Sequence, residues 1–319
     1  MSASYLSTPE FLSITLHISS IFEFPVHLLG FYCILFKTPE SMKSVRLTML
    51  NLHFWSVFLD FNFSFLIRPF MLLPVSAVIT LGVLEVPPVV QWHMAVTNFA
   101  TVEMSIFSIF ENRYYLLSAY NSWWRFIRYP VLVLNYLLAF TCFLPSLLHV
   151  PEQKLALESI GKKYPNIPIT KYSDKIFVLT LDHSTLRLSL ASVILSGVFE
   201  TLTISFLLYR NMKKNVRNVN LSTTSYEIQR RFLRAVVIQI ATPFLILIAP
   251  ALYFTTSIKF SYYNQSINNL CITLISLHGF VSTIVMVLIH TPYRNFVMRK
   301  LKSNKTSPII ISGQSTIVQ

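Results

Sequence analysis

The sequence predicts an all-α membrane protein, a seven-transmembrane helix bundle with its N-terminus outside the cell and its C-terminus in the cytoplasm. Seven apolar stretches interrupt the 319 residues, each meeting the length of about 20 residues that a helix needs to cross a bilayer. The composition is 53% hydrophobic and only 12% charged, with a mean hydropathy of +0.56, far from soluble averages. Lys and Arg cluster on alternate links between the stretches, the asymmetry that orients membrane helices.

Residues 1–10 form a short outer segment without Lys or Arg. They also lack the basic region and small-residue cleavage site of a signal peptide, so the first span is expected to serve as an uncleaved anchor. The spans cover roughly 11–36, 47–72, 92–118, 129–150, 186–209, 234–256 and 269–290. Together they make a transmembrane domain over 11–290, followed by a cytoplasmic tail over 291–319. Lipid cannot hydrogen-bond a backbone, so each span must be helical.

Of the 26 cationic residues, 18 fall on one side of the seven spans and seven on the other, with Arg68 near the end of the second span. The richer side, which holds the tail, is the cytoplasmic one. The net charge of +13 is therefore a product of topology, and nucleic-acid binding is not expected.

Between the spans, 73–91 reads as a mildly apolar outer loop broken by Pro87 and Pro88. Segment 151–185 is a long outer loop whose stretch Ile176–Leu181 is β-prone and predicts a small lid hairpin. Segment 210–233 reads as a basic inner loop. Cys33, Cys142 and Cys271 all lie within spans, where a free cysteine behaves as a small buried hydrophobe, so no outer disulfide is available.

Enzyme signatures such as HExxH, G-x-S-x-G and a phosphate-binding glycine loop do not occur in the sequence. No enzymatic activity and no cofactor are expected. The seventh span carries no Lys, which excludes a retinal Schiff base there. No internal repeat is visible, which weakens a transporter built from duplicated halves.

Ionisable side chains are expensive in a bilayer and so mark functional candidates. Glu23, Asp60, Glu103 and Glu200 lie well inside their spans, whereas Arg68 and Arg187 lie near outer ends, from which they can snorkel to water. Asp60 is a candidate ion or switch site. Glu103, about 12 Å outward of Glu111 on the same helix, is a candidate ligand contact, and Glu200 joins them. Plain structural hydrogen bonding competes with each of these roles. Histidines 17, 53 and 278 are expected to be satisfied core groups. Pro243 and Pro250 lie on the two halves of the sixth span and can make it a pivot, although prolines in membrane helices often only shape a cavity.

Two features mark the inner face. The third span ends Ile109-Phe110-Glu111-Asn112-Arg113-Tyr114. An acid and an arginine two residues apart allow Arg113 to pair locally in one state and meet a partner in another. The seventh span ends His290-Thr291-Pro292-Tyr293-Arg294. From Tyr293 onward, Tyr293, Phe296, Val297 and Leu301 share one side of a helix flanked by basic residues, as in a helix lying along the inner leaflet.

Glu111-Asn112-Arg113 closing helix three and Pro292-Tyr293-Arg294 closing helix seven resemble the nematode serpentine chemoreceptors, class H of the Str-like superfamily. The resemblance covers nearly the whole chain. It implies a G-protein-coupled receptor in the plasma membrane of sensory-neuron cilia, with a small environmental molecule as ligand and a heterotrimeric G protein as partner. By position, Arg113 and the adjoining Tyr114 would take the G-protein-facing role, in a groove completed by Arg230, Arg231 and Arg234 and the Tyr293–Leu301 segment. The outer cysteine pair of rhodopsin-like receptors is missing, which implies a less constrained lid. The competing readings are a ligand-gated channel of inverted topology and a small-solute transporter. Ligand identity, choice of G protein and dimerisation are not legible.

Two lesser expectations concern modification. Asn264-Gln265-Ser266 is an outer glycosylation sequon close to span seven. Ser303, Thr306, Ser307, Ser315 and Thr316 are tail phosphorylation candidates.

Overall fold

A computed structural model describes residues 4–165, 167, 172, 174–218 and 223–305. Helix α1 (Pro9–Phe36) starts behind Thr8, whose side chain accepts a hydrogen bond from the Phe11 N–H at 3.1 Å, an N-cap with proline at the first helical position. α2 (Lys43–Phe61) continues into a π-helical turn over Asn62–Leu66. α3 (Pro88–Tyr114) likewise ends in a π turn, Tyr115–Ala119. α4 (Trp124–Thr141) is followed by a short turn of helix, α5 (Leu144–Leu147). α7 (Ser184–Asn218) and α8 (Thr223–Phe260) come after the long outer loop and its helix α6 (Gln153–Lys163). The last span is a bent pair, α9 (Gln265–Ser276) and α10 (His278–Ile289), and α11 (Thr291–Lys305) begins one residue later.

Among the described residues, Pro9–Phe36, Trp124–Leu147 and Ser184–Asn211 are each long and apolar enough to cross a membrane, and the α9–α10 pair, bent by 41°, makes a fourth such span. The remaining bundle helices carry more polar groups. α2 and α3 bury His53, Ser56, Asp60, Thr97, Asn98, Thr101, Ser105, Glu111 and Asn112. Large apolar side chains such as Phe22, Phe24, Leu195 and Phe199 are exposed instead. This inside-out distribution suits helices whose surrounding medium is hydrocarbon.

The second span departs from expectation. Its helix stops well before residue 72, because Arg68 takes a left-handed backbone (φ 43°) and Pro69 cannot extend a helix. The chain turns instead into β1 (Pro69–Leu72), which pairs antiparallel with β2 (Ala77–Thr80) through Pro69–Thr80 and Leu72–Ala77. The expected 73–91 loop is thus partly a strand, and its Pro88 opens α3. Arg68 does not reach water. It is buried, and its Nη1 donates to Ser13 Oγ at 2.8 Å and lies 3.0 Å from His17 Nε2. Arg187 is exposed, as expected.

The β-prone stretch does form a strand, β3 (Phe177–Val178), but it pairs with β2 rather than with its own loop. Gln153 at the start of α6 clamps it, donating from Nε2 to Val178 O at 3.1 Å and accepting from Val178 N at 2.8 Å. The lid is therefore held by a three-stranded sheet, and the missing disulfide does not leave it unconstrained.

The basic segment 210–233 is another correction, since α7 and α8 run through most of it. Their 35 and 38 residues exceed what about 30 Å of hydrocarbon requires at 1.5 Å per residue. The hydropathy signal ends at the membrane, whereas Lys, Arg and Met keep the helix going beyond it.

Candidate functional site

At the end of the bundle where α3 and α10 finish and α4 begins, Glu111 is fully buried and Arg128 nearly so. Arg128 Nη2 donates to Glu111 Oε2 at 2.9 Å and to Asn112 Oδ1 at 3.3 Å, while Trp124 Nε1 donates to the other Glu111 oxygen at 2.8 Å. The Arg128 guanidinium also lies over the Tyr115 ring, 3.8 Å from its centroid. Asn112 Nδ2 donates to Ser44 O at 2.9 Å, tying α3 to the start of α2.

Among the described contacts, Glu111 is taken by α4 rather than by Arg113. α4 occupies the carboxylate, and Arg113 instead lies within electrostatic range of His290 at the end of α10. Tyr114 packs edge-on against Trp124. Neither Trp124 nor the role of Arg128 was apparent from spacing, because the pairing joins two helices across a turn. The signal was two buried-type charges of opposite sign at adjoining span ends.

Helix seven's inner motif converges on the same end. Tyr293 is fully buried against Cys33, Ile34, Val45, Met49, Met286 and Val287. Its hydroxyl is 2.7 Å from Thr38 Oγ1, and burial pushes the phenol's pKa up, so it stays neutral. Pro292 is half-buried and Arg294 is exposed. α11 has the expected helical character, with Phe296 packed 5.4 Å from the Tyr32 ring and under the Lys37 ammonium at 4.8 Å. Leu301 is exposed rather than packed on the protein, as suits the lipid-facing side of such a helix. Arg230 and Arg234 are exposed on α8, and the Arg231 side chain lies outside the described residues. Of the tail phosphorylation candidates, the Ser303 side chain and positions 306 to 316 also lie outside them.

The mid-bundle candidates separate into two places. Glu103 on α3 sits directly against the backbone of Gly197 on α7, where a Cβ would collide with its carboxylate. Glu200, one turn further along α7, accepts from Asn135 Nδ2 of α4 at 2.7 Å and lies close enough to Glu103 for their charges to interact. Beside them Asn51 Nδ2 reaches Ser105 Oγ at 2.9 Å and Tyr136 Oη at 2.6 Å. Pro250 is buried within α8; the Pro243 side chain lies outside the described residues.

Asp60 is elsewhere, facing helix seven. Its two carboxylate oxygens accept from the backbone N–H groups of Gly279 (2.8 Å) and Phe280 (2.7 Å). These are free donors of the first turn of α10, so α2 supplies the cap that the break in helix seven requires. Gly279 allows this approach: a Cβ there would lie 2.6 Å from Ser56 O and 2.8 Å from Asp60 Oδ2. His53 and His278, expected as core groups, are both buried. His17 lies against Arg68.

At the lid end, a small cleft is lined by Ser146, His149, Thr180, Asp182 and Leu186 among others. None of Asp60, Glu103 or Glu200 lines it. Asn264, the sequon residue, is engaged in capping α9, accepting from Ile267 N at 3.2 Å. Gln265 and Asn268 donate to Met71 O, and Asn269 to Leu6 O, which fastens the hairpin and the N-terminal segment to helix seven.

Comparison with known proteins agrees with this arrangement. The bundle is similar to that of squid rhodopsin, with a TM-score of 0.57 over 96% of this chain and 89% of that one, at 13% identity. Serpentine receptor class H-72 of Caenorhabditis elegans is 26% identical over 327 residues, covering 96% of this chain and 90% of the relative. The family model described as serpentine type 7TM GPCR chemoreceptor Srh matches residues 7–303. From before helix α1 into α11, then, this multi-pass membrane chain belongs to the Srh family of serpentine seven-transmembrane chemoreceptors.

Proposed function

We propose that this receptor detects a small environmental molecule from its lid side and activates a heterotrimeric G protein through the opposite end. The observation that carries the reading is the junction of the two inner motifs. Glu111 and Asn112 are held by α4 and α2, and Arg113 is within electrostatic range of His290, three residues before the buried anchor Tyr293. A cation on helix three within electrostatic range of the end of helix seven would be a two-state element that a partner can bias. Arg230, Arg231 and Arg234 on α8, with Pro292 and Arg294 beside Tyr293, would complete the groove.

In this arrangement the N-terminus lies outside, the α11 end lies in the cytoplasm and the protein resides in the plasma membrane of sensory cilia. Glu103, Glu200 and Pro250, with Pro243 on the same helix as Pro250, would transmit ligand binding between α3, α7 and α8. Membership of a chemoreceptor family supports this over a channel of inverted topology or a solute transporter.

The test is nucleotide exchange on purified heterotrimeric G proteins, driven by the receptor in nanodiscs while volatile and water-soluble small molecules are screened. A responding pair is expected to lose exchange in Arg113→Ala with surface expression intact; undiminished exchange would overturn the coupling role. A tag at residue 1 is expected to stain unpermeabilised cells, and staining only after permeabilisation would reverse the orientation.

A further inference from the structure

We propose that Glu23, His27 and Asp60 form a binding site for a zinc-class divalent cation, set between α1, α2 and the break in helix seven. One ligand atom from each residue lies within 4.8 Å of the others. All three side chains are buried, Glu23 at 3% exposure, His27 at 6% and Asp60 at 0%. Glu23 Oε1 and His27 Nε2 have no hydrogen-bond partner among the described residues. A buried carboxylate oxygen without a donor carries a large desolvation cost, and His27 Nε2 faces Asp60 Oδ2 at 3.3 Å without hydrogen-bond geometry.

Charge balance points the same way. Among the described residues no Lys or Arg forms an ion pair with either carboxylate. Two neighbouring carboxylates at this depth either hold protons or take a compensating positive charge, and a bound cation would supply that charge to both. Arg68, beyond the end of α2, is turned to Ser13 and His17.

The donor set selects the ion. Sodium, calcium and magnesium favour all-oxygen shells, whereas an imidazole nitrogen with two carboxylates suits zinc. A tetrahedral zinc with bonds of about 2.0–2.1 Å holds its ligands about 3.3 Å apart. His27 Nε2 and Asp60 Oδ2 are 3.3 Å apart.

The surroundings supply the orienting contacts that metal ligands need. His27 Nδ1 is 3.4 Å from Thr283 Oγ1 of α10, so a proton held on Nδ1 leaves the Nε2 lone pair for the ion. The Ser19 and Ser64 hydroxyls lie against Glu23. Asp60 is steered by the two N–H groups of Gly279 and Phe280. Ligation would therefore clamp α1, α2 and the start of α10 together, at the point where helix seven bends. This proposal is independent of the coupling partner and of the sensed molecule.

The experiment uses the full-length receptor, purified without chelator in nanodiscs and titrated with zinc chloride. One saturable equivalent is expected, with affinity lowered at least about tenfold in Glu23→Gln and in His27→Gln. Absence of saturable binding, or variants that bind as tightly as the parent, would overturn the site. Should either variant not fold, zinc-edge X-ray absorption of the unaltered protein decides. A shell containing one imidazole is expected; an all-oxygen shell or one with several sulfur ligands would refute it.

Discussion

Arg128 Nη2 lies 2.9 Å from Glu111 Oε2, both side chains inside the bundle, so the acid that closes helix three is neutralised by helix four rather than by the arginine two residues after it. Glu111 and Asn112 thereby act as scaffold, and Arg113 is within electrostatic range of His290 of helix seven. Glu111 and Asn112 share Arg128, and Asn112 also reaches Ser44 of helix two, contacts which sequence spacing does not reveal.

This buried pair should be strongly coupled. Glu111→Gln and Arg128→Ala are each expected to destabilise the receptor by about 3–5 kcal/mol, because each leaves an uncompensated buried group. The double variant should lose much less than the sum. Thermal unfolding of all four proteins in nanodiscs checks this, and additive losses would show that the two side chains do not act as a unit.

Tyr293 contributes by packing more than by its hydroxyl. Tyr293→Phe removes the bond to Thr38 and is expected to cost about 0.5–1.5 kcal/mol, whereas Tyr293→Ala opens a cavity worth about 3–5 kcal/mol. A thiol-reactive dye reporting exposure of the buried neighbour Cys33 reads both. Equal losses would contradict this division.

The junction of Asp60 with α10 allows almost no added volume. Gly279→Ala places a Cβ 2.6 Å from a backbone oxygen of α2, an overpacking cost of about 1–3 kcal/mol. Asp60→Ala instead strands the buried Gly279 N–H and the part-buried Phe280 N–H, about 1–3 kcal/mol for the buried one and less for the other. Thermal unfolding should rank Asp60→Ala as the more damaging; the reverse order would mean the carboxylate does not satisfy the helix break.

Lid docking should weaken in acid. His183 accompanies the lid, 2.9 Å from Ser76 Oγ. Burial holds its pKa below the ordinary 6.5, with Arg187 and Lys163 acting in the same direction and Asp182 opposing. The undocked lid therefore takes up a proton first, so this contribution is present above about pH 6.5 and fades as the pH falls through it. Hydrogen exchange of Leu179 N–H, which bonds Ser76 O at 3.1 Å, should report a larger opening constant at pH 5 than at pH 7, after correction for intrinsic rates. The difference should vanish in His183→Gln.

The helical membrane class was legible in the chain alone, because apolar runs of bilayer length have one way to satisfy their backbone. So were the two inner motifs, since Glu111-Asn112-Arg113 and Pro292-Tyr293-Arg294 are local strings, and so were Asp60 and Glu23 as charges in costly places. Their partners, by contrast, were settled by packing. Hydropathy reads Phe63 to Leu72 as more helix, but Arg68 and Pro69 turn the chain into a strand that needs β2 and β3, the latter far along the sequence, to complete its sheet. Likewise, that His27 meets Asp60, and that Asp60 meets the broken end of helix seven, depends on how three helices pack, an outcome of shape and long-range contact that spacing along one chain does not encode.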